Sequence, residues 1–533
     1  MRGAASAWWV AVGLGLLGCQ QRRPAPHEAS SVVVIAAIGE PASVFPPLAT
    51  ETVARDIGDL VYERLADLRP GRSPIDTAAY QPRLAARWEQ LDSVTWRFHL
   101  APGVRWADGR PVTAQDVRFS FEVFSDSVLD PPARTYLAGR VRVAVEDSAT
   151  FRVIFVAPSP EQLFDATYHV RVVPEHVWGS IPREAWAADT VLAHLVGSGP
   201  YRVLEWSRGR FLRLGARRRT DGKIASVIWR FAPDPDAALN LVLGHEADLM
   251  ELVGPTAKDP RPAADSSLRL VRFPSAAYGF LGFKVRNRDG TSQSILGDRS
   301  TRRGLAMAID RSALARSVFG PQAVAPPGPM SRLLWIWSDS IRALPFDTAT
   351  AGAELERAGW RLGRDGVRRR HGVTLGFDIL VPSTSSTRRE LASALQSMWR
   401  GVGARPSITT VDFPVFQQRL GQGRFDSYIG AWLDDPSTRG LADQWTRAGW
   451  QGLNYGRYGN PVFDSVFERA TAETDPARAR QLYREAMDTL NADAPALFLY
   501  TPTNTAAVSR RIADVEIDPY SWLGGLPGWR VTR

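Results

Sequence analysis

From residue 32 onward, short apolar runs alternate with longer segments in which apolar residues recur every three or four positions. Residues 32–35 form a β-branched run, and apolar and polar residues alternate over 96–100. Both patterns are typical of strands. Two further apolar segments, 141–145 and 151–156, flank a short polar stretch, which predicts a β-hairpin.

Helical periodicity and helix-start signals mark the longer segments. Thr113 followed by Asp116 is a capping-box pattern. Asp475 followed by Pro476 predicts a helix with proline at its first position. The predicted apolar faces are Val117, Phe121 and Phe124; Leu305, Ile309, Leu314 and Val318; Leu391, Leu395, Met398 and Trp399; and Leu482, Ala486 and Leu490. We expect the second set on a single helix that ends at Gly320. Strands and helices mixed along the chain predict an α/β fold.

The first thirty residues depart from this pattern. Arg2 precedes an apolar run over residues 7–17, which is too short to cross a bilayer core of about 30 Å as a helix. The run ends in Leu16-Leu17-Gly18-Cys19, which resembles the lipobox of bacterial lipoproteins. This implies that residues 1–18 are an export signal, that Cys19 carries a lipid anchor, and that residues 19–31 form a polar tether.

Composition and charge limit the remaining classes. The chain has 533 residues, which suggests about three domains. Cys19 is the only cysteine, so an intramolecular disulfide and a cysteine-based zinc site are excluded. The formal net charge is +9, but the arginines are spread along the chain and an exported protein does not meet genomic nucleic acid. We therefore predict no nucleic-acid partner.

The motifs of common enzymes are absent from the sequence. There is no G-x-S-x-G, G-x-x-x-x-G-K-[ST] or H-E-x-x-H segment. None of the seven histidines lie four residues apart, the spacing that would place two on one helix face, so we predict no metal or cofactor. Asp434 and Asp435 are adjacent carboxylates in a stretch that also contains Trp432, Asn454 and Tyr455. Such a stretch is suited to a ligand cleft, although a carboxylate pair that faces water or caps a helix remains an alternative.

A series of short segments in a fixed order resembles the family 5 extracellular solute-binding proteins, the binding components of peptide- and nickel-type ABC importers. The segments are VYERL (61–65), LAARWE (84–89), TWRFHL (95–100), GVRWADG (103–109), VTAQDV (112–117), GSGPY (197–201), AIDR (308–311) and AGW (358–360). Each is weak alone, but together they extend over most of the chain after residue 32.

The resemblance implies a two-lobed, clamshell α/β fold of the periplasmic-binding (type II) kind with an additional inserted N-terminal domain. Lobe I is expected to combine 32–68, 191–266 and 506–533, the inserted domain to span 69–190, and lobe II to span 267–505. The hinge is expected near 268–273 and 499–508. The implied function is capture of oligopeptides between the lobes and their delivery to the permease subunits of an ABC importer. The implied chain is a monomer on the outer, periplasmic or extracellular, side of the membrane.

The resemblance also implies the ligand-binding residues. Family members bind the amino end of the ligand with an aspartate after a Gly-Trp segment, and Asp434 is the first choice here, Asp435 the second. The full expected set is Asp434, Asp435, Trp432, Tyr278, Asn454, Tyr455 and Ser198. The alternatives are a non-peptide ligand (a nickel chelate, haem, a sugar or an antibiotic), a sensory role, and a secreted hydrolase that uses Asp434 or Asp435.

Overall fold

The computed structural model describes residues 31–218, 222–320 and 323–532. The predicted signal, Cys19 and the tether apart from Ser31 lie outside these residues. None of the described helices is both long enough and apolar enough to cross a bilayer.

The elements of the first half build two of the main sheets. Their strands are β1 (Val32–Ile38), β2 (Ala66–Leu68), β3 (Tyr80–Pro82), β4 (Ala85–Asp92), β5 (Thr95–Leu100), β6 (Val141–Val145), β7 (Thr150–Phe155), β8 (Tyr201–Ser207), β9 (Phe211–Ala216), β10 (Ser226–Ala232), β11 (Leu249–Leu252) and β12 (Leu268–Pro274). Their α-helices are α1 (Thr52–Val61), α2 (Ala114–Phe124), α3 (Arg134–Leu137), α4 (Gln162–Thr167), α5 (Glu175–Trp178), α6 (Pro235–Leu243) and α7 (Arg261–Ala264).

The second half contributes the longer helices. Its strands are β13 (Ala277–Phe283), β14 (Arg361–Leu362), β15 (Arg368–Arg370), β16 (Val373–Thr374), β17 (Asp378–Pro382), β18 (Ser407–Val411), β19 (Ser427–Leu433), β20 (Ala496–Tyr500), β21 (Thr503–Ser509), β22 (Ile512–Ala513) and β23 (Arg530–Val531). Its α-helices are α8 (Arg299–Met307), α9 (Arg311–Phe319), α10 (Thr348–Arg357), α11 (Ser386–Gly401), α12 (Phe413–Gln422), α13 (Arg439–Trp445), α14 (Pro461–Ala472) and α15 (Pro476–Asp493).

Three sheets organise the molecule. The first lobe contains a seven-stranded sheet in the order β12-β21-β11-β1-β10-β9-β8, in which β1 runs parallel to β10 and β11. The second lobe contains a five-stranded sheet in the order β18-β17-β19-β13-β20. An antiparallel sheet in the order β4-β5-β7-β6 lies in the sequence between β1 and β8. It is therefore an insertion into the first lobe.

The chain passes between the two lobes twice, at neighbouring points. Residues 275–276 join β12 to β13, and residues 501–502 join β20 to β21. The backbone N–H of Ser275 donates to the carbonyl of Pro502 at 3.1 Å. Because β12 and β21 pair with each other along their length, both belong to the first lobe. The sheet pairings thus move the expected limits of lobe II from 267 and 505 to residues 275 and 502.

The sheet of the second lobe is covered on both faces. Successive residues of β13 point to opposite sides: Tyr278 and Phe280 pack in one apolar cluster, and Leu281 and Phe283 in another. Burial on both faces explains why β13 reads as a continuous apolar run.

The local predictions agree with the structure except at one helix. Thr113 and Asp116 form the capping box of α2, and the Asp475 carboxylate accepts hydrogen bonds from the first turn of α15. The prediction that one helix carries Leu305 through Val318 is wrong. The chain forms α8 and α9 instead, because Asp310 leaves the helix and its carboxylate caps α9 by accepting from the N–H of Ala313 at 2.8 Å.

Candidate functional site

The strongest site candidate lies where β19 ends beside the crossing between the lobes. The N–H of Asp434, the first residue after β19, donates to the carbonyl of Ala276 at 2.8 Å. The Asp434 carboxylate accepts from the N–H of Ser331 at 2.9 Å. The Asp435 carboxylate accepts from the N–H of Ser437 at 2.7 Å. The turn after β19 thus fixes both carboxylates at the hinge.

These two carboxylates, the carboxylate pair, lack an ion-paired cation among the described residues, although the charge of Arg439 lowers the pKa of Asp435 against the effect of burial. No described Arg, Lys or His forms an ion pair with Asp434 or Asp435, although both side chains keep partial contact with solvent. Burial raises the pKa of Asp434 to about 8 and that of Asp435 to about 7. A buried carboxyl group without a counter-ion favours either a bound proton or a bound cation.

The first lobe and the insertion face the carboxylate pair. Burial raises the pKa of the Tyr520 and Tyr168 phenols, and the negative charges of the pair add to the shift. Tyr520 belongs to the C-terminal segment, and Tyr168 follows α4. The Tyr520 hydroxyl is buried without a hydrogen-bond partner among the described residues.

A cavity of about 490 Å³ lies between the lobes next to this pair. One side is formed by Asp59, Glu63, Arg64, Tyr168, Asp518 and Tyr520, and the other by Leu333 and Pro436. Burial raises the pKa of Glu63 and of Asp518. Burial opposes ionisation of Asp59 too, but Arg171 and Arg64 hold its pKa at about 2. Apolar and polar groups both line the cavity; its charged groups without an ion pair among the described residues are Glu63, Glu516 and Asp518 on one hand and Arg69 and Arg72 on the other.

A buried ion cluster, which we call the clasp, joins the insertion to the second lobe. It consists of Arg439 at the start of α13 and of Glu161 and Asp165 at α4. Arg439 Nε lies 2.5 Å from Glu161 Oε2, and Arg439 Nη1 lies 3.0 Å from Asp165 Oδ2. Ser437 Oγ donates to Glu161 Oε2 at 2.7 Å. Burial raises the pKa of Asp165 to about 6 even though Arg439 opposes the shift.

The predicted site residues fall into three groups. Trp432, Asp434 and Asp435 follow one another along β19 and its turn. Tyr278 is the partner of Trp432 across the sheet but is fully buried, and its hydroxyl donates to Gln444 Oε1 at 2.5 Å. This hydrogen bond holds Tyr278 in the core beside β19, and contact of Tyr278 with a ligand stays a prediction.

Asn454, Tyr455 and Ser198 lie apart from the carboxylate pair. Asn454 is buried, and its side chain ties its own loop through the carbonyls of Thr446 and Tyr458. Tyr455 stacks beside Trp432 with ring centroids 6.4 Å apart. Direct ligand contact by these three residues stays a prediction.

Ser198 instead helps to shape the first-lobe wall of the cavity. Its hydroxyl accepts from the N–H of Glu63 at 3.2 Å. The neighbouring Gly197 packs so closely on α1 that a Cβ there would lie 1.9 Å from the Val61 carbonyl oxygen. The GSGPY segment is therefore explained by close backbone packing that positions Glu63.

The sequence reasoning missed Arg439, Glu161, Asp165, Tyr168 and Tyr520. Glu161 and Asp165 stand four residues apart beside buried apolar residues, a spacing that puts two acids on one helix face. That pattern was the one available signal. Among the residues that the structure describes, no three His, Cys, Asp or Glu side chains are grouped closely enough to hold a metal ion.

Two lobes, two neighbouring crossings and a cavity beside them define a binding protein of the clamshell type. The profile of the bacterial extracellular solute-binding proteins, family 5 (middle region), matches residues 79–455. The chain belongs to this family. Its members are transport binding proteins and not enzymes, so the hydrolase alternative is excluded and the predicted fold and family are confirmed.

The relatives are similar over nearly their whole length. The dipeptide-binding protein of Escherichia coli (strain K12) is 23% identical over 519 residues, which cover 92% of this chain and 93% of the relative. The oligopeptide-binding protein AppA of Bacillus subtilis, solved with a nonapeptide, has a TM-score of 0.71 and 21% identity. The match covers 94% of this chain and 99% of AppA. NikZ of Campylobacter jejuni, solved with Ni(L-His), has a TM-score of 0.74 and 20% identity. That match covers 94% of this chain and 99% of NikZ.

The raised pKa values predict how stability depends on pH. A carboxyl group whose pKa is higher in the folded than in the unfolded chain stabilises the fold at low pH, and this contribution is lost as pH rises through the folded pKa. For Asp434 this stability is lost over the pH range from about 4 to about 8. Without ligand, Asp434→Asn is expected to gain stability relative to the unmodified chain between pH 5 and pH 8, by about 1 kcal/mol after allowance for partial solvent contact.

Urea unfolding at both pH values measures this difference. Asp236→Asn, at an exposed carboxylate without an ion pair, is the matched control and should show no such change. An Asp434→Asn difference that stays constant across that pH range would mean that the carboxyl group is not buried in the ligand-free protein.

Proposed function

We propose that this chain is the lipid-anchored binding component of an ABC importer and that it captures oligopeptides between its lobes. The observation that carries the proposal is the carboxylate pair at the hinge, in which Asp434 forms no ion pair with any residue that the structure describes. The ammonium group of a peptide would supply the missing charge at Asp434, and a charge-assisted hydrogen bond of this kind is among the strong ones. The names of the relatives, a dipeptide-binding protein and an oligopeptide-binding protein, support the ligand class.

The mechanism follows from the two crossings and the clasp. A peptide would bind first to the open second lobe, with its amino end at Asp434 and its backbone along exposed strand edges. Rotation at residues 275–276 and 501–502 would then bring the insertion onto the second lobe. Arg439 would meet Glu161 and Asp165, and the closed form would be the one presented to the permease.

Mass spectrometry of what co-purifies with the chain from Gln20 onward tests the ligand class. We expect a mixture of short peptides after denaturation, and peptides from a broad library should raise the melting temperature. A nickel chelate, haem, a sugar or an antibiotic as the co-purified molecule, with no response to any peptide, would contradict the peptide proposal and leave the fold untouched.

The lipid anchor has its own test in Cys19. Because the thiol is the attachment point, Cys19→Ser is expected to move the exported chain from the membrane fraction to the soluble fraction. Metabolic labelling with a fatty acid should mark the unmodified chain alone. Equal partition of both chains into the membrane fraction would contradict anchoring at Cys19.

A further inference from the structure

A second charged crevice lies at the opposite end of β13 from the carboxylate pair. Lys284 directly follows β13, whereas Asp434 lies beside Ala276 before its start. At about 3.3 Å per residue, the seven residues of β13 separate the two places by roughly 20 Å. The crevice is therefore not part of the cavity between the lobes.

Four cations surround this crevice, which we call the basic crevice: Lys284, Arg286, Arg288 and Arg457. Its volume is about 100 Å³, roughly that of three liquid water molecules. No Asp or Glu lines it, and none of the four cations forms an ion pair with any described residue. Arg64, Arg171 and Arg511, by contrast, each pair with a carboxylate.

Backbone carbonyls hold the four side chains in place. Lys284 Nζ donates to Gly423 O at 3.3 Å, and Arg288 Nη1 donates to Gly421 O at 3.1 Å. Arg457 Nη1 donates to the carbonyl of Arg288 at 3.0 Å. Carbonyls orient these groups without neutralising their positive charges.

Arg457 also has an unusual backbone conformation. Its φ is +53°, in the left-handed region that residues with a Cβ rarely adopt. Strain of this kind persists only where the surroundings demand it, and it is often found at binding sites. A bound anion would compensate the positive charges of the crevice and use the guanidinium groups in their preferred forked geometry.

We propose that the basic crevice binds a phosphate group. The crevice has room for one tetrahedral anion, and arginine matches phosphate oxygens with two parallel hydrogen bonds. The phosphate could be free inorganic phosphate or the phosphate of an anionic lipid headgroup, which a lipid-anchored chain would meet at the membrane surface. Both sources share the same chemistry and are separated by experiment.

Calorimetric titration of the chain from Gln20 onward with inorganic phosphate, at constant ionic strength, tests the site directly. We expect saturable binding that Arg286→Gln/Arg288→Gln weakens at least tenfold. The control Arg110→Gln/Arg364→Gln removes the same charge from two exposed arginines without an ion pair and should bind like the unmodified chain. Lys284→Met provides a second variant in case the double variant does not fold, with the same expected loss.

Vesicle flotation separates the two sources of phosphate. Binding to phosphatidylglycerol vesicles but not to phosphatidylcholine vesicles, lost in the double variant, would identify the lipid headgroup. Binding of inorganic phosphate without vesicle binding would identify a free-phosphate site. Absence of both, or equal binding by the double variant and its control, would overturn the proposal whether or not the chain binds peptides.

Discussion

Replacement of Arg439 by methionine is expected to open the molecule and to weaken ligand binding by two orders of magnitude or more. Arg439 pairs with both Glu161 and Asp165, and both carboxylates are almost fully buried. His169 lies 3.6 Å from Asp165 but stays neutral, because burial lowers its pKa to about 3. Removal of one partner from a buried ion cluster costs about 3–5 kcal/mol, because the remaining charges lose their compensation. When the insertion separates from the second lobe, Glu161 and Asp165 return to water. The free-energy penalty of the substitution should therefore fall on the closed form alone.

Small-angle X-ray scattering and peptide titration measure the two effects. The radius of gyration with ligand should stay at the ligand-free value in Arg439→Met. The control is Arg478→Met, since Arg478 forms an exposed pair with Glu473 at 3.5 Å, and such pairs contribute about 0–1 kcal/mol. The triple variant Arg439→Met/Glu161→Gln/Asp165→Asn should recover most of the closure. Normal closure and affinity in Arg439→Met would show that the clasp does not hold the closed form.

The fold could be predicted wherever its signals are local. The capping box at Thr113 and the Asp475-Pro476 start depend on residues within one helical turn, and both appear in the structure. The split between α8 and α9 escaped prediction because Leu305 through Val318 keep a nearly helical period across Asp310. The expected limits of lobe II differ from those in the structure because the apolar sequences of β12 and β21 do not indicate which sheet these strands join.

The site could be predicted only in part, for a related physical reason. Asp434 and Asp435 can be proposed from the sequence because two adjacent acids stand in an aromatic stretch, and their contact with a ligand stays a prediction. Tyr278 is also predicted at the ligand. Because β13 is buried on both faces, the period of its apolar residues does not distinguish the face toward the core from the face toward the cleft. The clasp joins residues more than 270 positions apart, so nothing near Arg439 in the sequence indicates its partners.

Replacement of Asp434 by asparagine tests the assignment of the peptide's amino end. If that carboxylate pairs with an ammonium group, Asp434→Asn should weaken peptide affinity at least tenfold, about 1.4 kcal/mol. Asparagine keeps the size of the side chain and can still accept from Ser331, so the fold should be preserved. Asp236→Asn is again the control and should bind normally.

The pH dependence separates this role from a merely structural one. With the pKa of Asp434 at about 8 in the absence of a cation, the carboxyl group must lose its proton before it pairs with the ammonium group. Binding by the unmodified chain should therefore weaken as pH falls from 8 to 6, by at most tenfold per pH unit for one linked proton. Above pH 8 the peptide's own amino group, with an ordinary pKa of about 7.7–8.0, loses its charge and binding weakens again. Titration at several pH values should show that Asp434→Asn loses the acid limb alone; an unchanged acid limb in that variant would move the role to Asp435, where the same experiment on Asp435→Asn decides.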